Sequence, residues 1–218
     1  MRGFLLAVAA AVLAMAAYGE PLPVFTVDFS NPGLTPSHWT LEIHPDGRGH
    51  FRSERGAAIS AEGARTIEPP DVDRDVQLSQ RFADHVFKVT RRQRFFAKGC
   101  EGHLKVAFQG LKKLSYAGPD GQGGCEFNYS KDAEIQALGD SLVAVATTIV
   151  EGSRLESLLQ HDRLGLDEEM EIVQDAAGDG RAQQICSIRD ILERVSDDTA
   201  VMDRVRKRAK ELLARADD

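Results

Sequence analysis

The sequence predicts an α+β fold: a small, mostly antiparallel sheet built from hairpins packed on helices, followed by an all-helical C-terminal part. Two observations carry this. Before residue 130, short runs of alternating apolar and polar residues are joined by Pro-Asp-Gly turns and interrupted by one stretch of helical spacing. From Ser130 onward the period-two pattern is gone, and apolar residues recur at helical spacing to the C-terminus.

The chain opens on Arg2 and an unbroken apolar run from Phe4 to Ala17, with small residues at Ala17 and Gly19. This is the layout of a cleaved secretory signal, shorter than the ~20 residues of a membrane span. The reading is a signal peptide over 1–19 and a mature chain from Glu20, exported to a periplasm or outside the cell. No transmembrane segment is expected in the mature chain. Without Arg2 that chain has 26 Lys and Arg against 34 Asp and Glu, a net charge of −8.

Val24 to Phe29 is rich in β-formers and stops at Ser30-Asn31-Pro32-Gly33. Trp39, Leu41 and Ile43 then alternate with Thr40, Glu42 and His44, and Pro45-Asp46-Gly47 leads into His50-Phe51-Arg52. Pro at the first central position and Gly in a left-handed bulge predict a type I turn. It pairs His44 with Arg48, Glu42 with His50 and Leu41 with Phe51. Trp39, Leu41, Ile43 and Phe51 share the dry face; Thr40, Glu42, His44, His50 and Arg52 share the wet one. Residues 55–77 read as loop, with one short strand near Thr66-Ile67.

Leu78, Phe82, Val86 and Val89 recur at helical spacing behind Ser79, a suitable N-cap, and predict a helix over 79–96. Strands are expected over 104–108, 113–116 and 126–129, the last two joined by Gly118-Pro119-Asp120-Gly121-Gln122-Gly123. Ile135, Leu138, Leu142, Val145, Ile149, Leu155 and Leu159 describe a long helix with a weak point at Gly152. Three shorter helices follow. One is capped by Asp167 and closed by Gly178-Asp179-Gly180, one runs from about Arg181 through Val195, and one starts near Asp198. The organisation is a signal over 1–19, a disulfide-containing α+β region over 20–130 and a helical region over 131–218.

Three cysteines in an oxidising compartment leave one over. Cys100 and Cys125 lie beside turns at element edges, where a disulfide's short reach is easiest to satisfy. Cys186 sits in the apolar stripe Ile185-Cys186-Ser187-Ile188. The expected bond is Cys100–Cys125, with Cys186 a buried thiol.

No Gly-x-Ser-x-Gly, His-Glu-x-x-His or Cys-x-x-Cys pattern is present. The polar face of the first hairpin gathers Glu42, His44 and His50, residue types that could bind zinc or pair a general base with an orienting acid. Residues 88–113 hold eight Lys or Arg against Glu101 alone, whereas residues 131–218 hold twenty acids against twelve bases. Arg91, Arg94, Lys98, Lys112 and Lys113 are candidates to bind an external anion, with docking on the acidic helices the expected use of the segment. An acidic exported chain with few aromatics argues against nucleic acid as a partner. These features support a non-catalytic binding or interaction module of the cell envelope. Its partner would be a protein or an anionic envelope component, and no cofactor is expected. The alternative is a hydrolase or metal-dependent enzyme built on Glu42, His44 and His50.

Overall fold

The computed structural model of the chain describes residues 22–54, 56, 71–103 and 105–216. The expected signal peptide and the strand expected near Thr66-Ile67 lie outside these residues. Six strands form one antiparallel sheet: β1 (Val24–Ser30), β2 (His38–Ile43), β3 (Arg48–Glu54), β4 (Val72–Gln77), β5 (Leu111–Gly118) and β6 (Gly121–Phe127). Their order across the sheet is β4-β3-β2-β1-β5-β6, so β4 and β6 are the outer strands.

The first hairpin has the expected register, Leu41 opposite Phe51 and Glu42 opposite His50. His44 N–H donates to the Arg48 carbonyl at 2.8 Å, and Gly47 takes the left-handed position at φ +78°. Alternation decides what each face does. Phe25, Val27, Phe29, Trp39, Leu41, Ile43 and Phe51 turn to one side and are buried, while Thr40, Glu42, His50 and Arg52 turn to the other. Two helices cover the dry side: α1 (Gln80–Arg92), through Phe82, Val86, Phe87 and Val89, and the first half of α2 (Ala133–His161).

Two strand expectations are corrected. The loop expected over 55–77 ends in β4, which pairs with β3 from Arg48↔Gln77 to Ser53↔Val72. Only Val72 and Val76 mark it as a strand, because an outer strand needs just one apolar stripe and its acids point to solvent. The strand expected over 104–108 does not form over its described residues, 105–108. Asn128 holds that stretch instead: its side-chain amide donates to the Ala107 carbonyl (3.2 Å) and accepts from Gln109 N–H (2.7 Å). The segment therefore has a side chain where a strand would have a ladder. The second hairpin is also tighter than expected, its ladder reaching Gly118↔Gly121.

Ser79 caps α1 as expected, but the helix stops at Arg92 and a left-handed turn occupies Arg94–Phe96. α2, capped by Asp132, runs unbroken through Gly152. A side chain at Gly152 would collide with Ile188, so this glycine serves close packing and not a break. By length and composition alone α2 is long and apolar enough to cross a membrane, so the one point corrected is that a segment of such length and composition exists after residue 19. More than half of its most apolar stretch, 56%, is buried within the fold, as in a core helix.

α3 (Leu166–Asp179) starts at Gly165 with Asp167 in its first turn, and Gly180 ends it at φ +83°. A short 3-10 turn over Ile185–Ile188 precedes α4 (Arg189–Asp197), and α5 (Asp203–Ala216) closes the chain. There are two buried clusters. The first joins the sheet, α1 and α2 up to Val150; the second joins α2 from Leu155 to the later helices. One helix thus supplies both cores, and the change falls inside α2.

Candidate functional site

The two outer strands each border a hollow. Beside β6, Phe95 lies on Gly121 with its ring and on Gly123 with its main chain, and any side chain at either glycine would collide with it. Arg94, Phe95 and Phe96 have φ of +51°, +55° and +65°, a left-handed run that costs non-glycine residues about 1–2 kcal/mol each. Packing holds it in place. The Phe95 ring stacks on Tyr116 at 5.2 Å between centroids, and Phe96 is buried against Phe25. Cys100 is bonded to Cys125 with Cα atoms 5.7 Å apart, and Gly102 N–H donates to the Tyr129 carbonyl at 2.7 Å. The loop after α1 is thereby fixed against the core-facing side of β6, the face that Gly123 and Cys125 share with Tyr116 and Leu114. The disulfide fits an oxidising environment.

The hollow left there is about 400 Å³ and includes Arg94, Lys98, Glu101 and His103. Glu101 is already committed: its carboxylate accepts N–H bonds from Asn128 (2.9 Å) and His103 (3.2 Å). The bond from Asn128, above all, holds its pKa below the usual carboxylate range.

A larger cleft, about 810 Å³, runs along β4. One wall is Arg74 to Gln77, with His44, Gly49 and His50; the other is Cys186 to Glu193, from the 3-10 turn and α4. Arg74 crosses between the walls and donates to Asp190 at 2.8 Å. Ser187 is only 3% exposed, yet its hydroxyl has no hydrogen-bond partner among the described residues, and buried His44 Nδ1 has none either. A buried polar atom left without a partner costs about 1–3 kcal/mol, so both mark places for a ligand or water to bind.

Two groups in this cleft have shifted pKa values. His50 sits between two carboxylates, Nδ1 at 2.8 Å from Asp75 and Nε2 at 2.9 Å from Asp73. The bond to Asp75 is the larger cause and raises the His50 pKa, with partial burial opposing. Burial pushes the Cys186 thiol up, which keeps it protonated and a poor nucleophile.

Glu42 and His50 stand opposite each other as expected, and His44 and His50 line one cleft. His50's ring nitrogens, however, face the aspartates of β4, a strand the sequence reading took as loop. Among the described residues no group of three or more His, Cys, Asp and Glu side chains converges as metal ligands.

The five candidate anion-binding residues do not share a surface. Arg91 is paired with Asp120 at 2.5 Å, which, with the Tyr116 hydroxyl also donating to it, holds that carboxyl below its usual range. Lys112 is 2% exposed, lies over the Phe127 ring and has its pKa lowered by burial. Lys113 points to the opposite, solvent face of the sheet. Arg94 and Lys98 line the smaller hollow and make no ion pair among the described residues. Arg74, Ser187 and Asp190 were missed entirely. Arg74 and Asp190 are 116 residues apart, and no local pattern joins them.

The chain matches no known protein-family model, and no curated protein is detectably similar to it.

Proposed function

We propose that this is a non-catalytic binding module of the cell envelope, exported by a signal over 1–19 and released as a chain from Glu20. Its ligand site in this reading is the cleft along β4. The observation that carries it is the pair of buried polar atoms in that cleft, Ser187 Oγ and His44 Nδ1, without partners among the described residues. Clefts of this size with a few placed polar groups suit small ligands or peptide segments. The disulfide supports export, and the raised thiol pKa of Cys186 argues against nucleophilic chemistry in the cleft.

The test is an NMR titration of isotope-labelled protein with a soluble cell-envelope extract. Amide shifts should appear at Val76, Ser187 and Asp190, and Glu193→Trp, which fills the cleft mouth, should remove them. Shifts confined to Arg94 and Lys98, or shifts that survive Glu193→Trp, would contradict the proposal. Chemical conversion of a component, lost in His44→Ala and His50→Ala, would favour the enzyme instead.

A further inference from the structure

We infer that the cleft along β4 takes an extended, lysine- or arginine-bearing peptide as an added strand, with β4 supplying the main-chain ladder. This rests on the reading of that cleft as the binding site. The phase of the ladder comes from one bond: Leu78 N–H donates to the Gly47 carbonyl at 2.8 Å. Bonded and non-bonded pairs alternate in an antiparallel ladder. With the observed register, Gly49↔Val76 and Phe51↔Arg74 are therefore bonded pairs, while Arg48↔Gln77, His50↔Asp75 and Arg52↔Asp73 are not. The N–H and C=O groups of Asp73, Asp75 and Gln77 consequently point away from β3, toward the open side.

None of those main-chain groups has a hydrogen-bond partner among the described residues. The next N–H in the same phase, that of Ser79, is taken by Gln184 Oε1 at 2.9 Å. The helical part of the chain thus supplies one rung with a side chain, and the cleft borders the rungs beyond it. At ~3.4 Å per residue the open stretch 73–77 is roughly 14–17 Å long, enough for a short peptide strand.

Charge selects the occupant. Asp75 is 96% exposed and Asp73 is more than half exposed, both on the solvent face of the outer strand. If β4 paired with β4 of a second copy using all three rungs, Asp75 would face Asp75, and like charges directly opposite are destabilising. Exposed acids on an outer strand guard against that self-pairing. A peptide with cationic residues at alternate positions puts them beside Asp75 and Asp73. Its intervening side chains turn toward the cleft and the unpartnered Ser187 hydroxyl.

The experiment uses the whole exported chain and a labelled heptapeptide of alternating lysine and valine. Fluorescence anisotropy reads affinity, and amide hydrogen exchange reads the ladder. In an antiparallel added strand the lysines, which share a face with Asp75, stand directly opposite the open residues, so their N–H groups form the rungs. N-methylation of the lysine residues should weaken binding about tenfold or more, whereas N-methylation of the valines should be tolerated. A glutamate–valine peptide should bind at least about tenfold more weakly, and Asp75→Lys should reverse that preference. Bound peptide should slow exchange at Asp73, Asp75 and Gln77. Equal affinity for both N-methylated peptides, or binding without that slowing, overturns strand addition. If no lysine–valine peptide binds while another ligand still shifts Ser187 and Asp190, strand addition fails and the cleft stands. If no ligand shifts them, both fail.

Discussion

At β6 the chain commits a left-handed turn, two glycines and its disulfide to packing the core-facing side of an outer strand. At β4 it places nothing on the main-chain groups of Asp73, Asp75 and Gln77 among the described residues, and leaves a cleft between them and α4. An uncovered outer strand invites pairing with other chains, and exposed acids are a way to keep it uncovered without aggregation. The difference between the two edges teaches where binding belongs. Strain and a covalent bond fix the loop on the first strand; unsatisfied polar atoms and open rungs mark the second.

The largest expected effect tests the disulfide-held loop on β6. Replacing Cys100 and Cys125 together by serine should cost about 3.5 kcal/mol in urea unfolding, from the loop the bond closes. Amide exchange should rise over β5 and β6 and stay as it was over β4. A loss under about 1 kcal/mol would show that packing alone holds the loop on that strand. Next, Gly123→Ala should cost about 1–3 kcal/mol, because the new methyl meets the Phe95 main chain, which has no rotamer to yield. Gly178→Ala in α3 is the control: nothing lies within 4 Å of its new methyl, and removing a helix glycine should gain up to ~1 kcal/mol. Equal losses at both glycines would break the packing argument.

At the open edge the expected effects on stability are small. Replacing Asp73 and Asp75 by threonine should change stability by under about 1 kcal/mol while producing concentration-dependent dimers in sedimentation. A strictly monomeric variant would show that these acids are not what guards the strand. The smallest effect concerns His50. Its folded pKa is raised, so its contribution is fully present below the unfolded-state pKa and is lost as pH rises through the higher folded pKa. Asp75→Asn should lower the NMR titration midpoint of His50 and flatten that part of the stability curve. An unmoved midpoint would mean that the Asp75 bond does not raise it.

Where order is local, the sequence was readable. The Pro-Asp-Gly turn and the alternation of Trp39, Leu41 and Ile43 set the first hairpin's register, and Ser79 with Phe82, Val86 and Val89 set α1. The Cys100–Cys125 pairing was readable because both cysteines flank turns. The left-handed run was not, because no glycine announces Arg94–Phe96; tertiary packing on Gly121 and Gly123 imposes it. β4 was hidden because an acid-rich outer strand resembles a loop in composition. Of the cleft, His44 and His50 were legible on their hairpin face. The opposite wall at Ser187 and Asp190 was not, since it arrives through α2, which carries the later helices alongside the sheet.

Residue-resolved amide exchange of the ligand-free chain tests the contrast between the edges most directly. Within β4 the account expects fast exchange at Asp73, Asp75 and Gln77 and slow exchange at Arg74 and Val76, whose N–H groups pair with β3. In the loop fixed on β6, Gly102, bonded to the Tyr129 carbonyl, should exchange slowly. Alternating protection along β4 with a protected Gly102 is the predicted result. Uniform protection along β4 would contradict the account, since it would mean that the rungs of this edge are already taken.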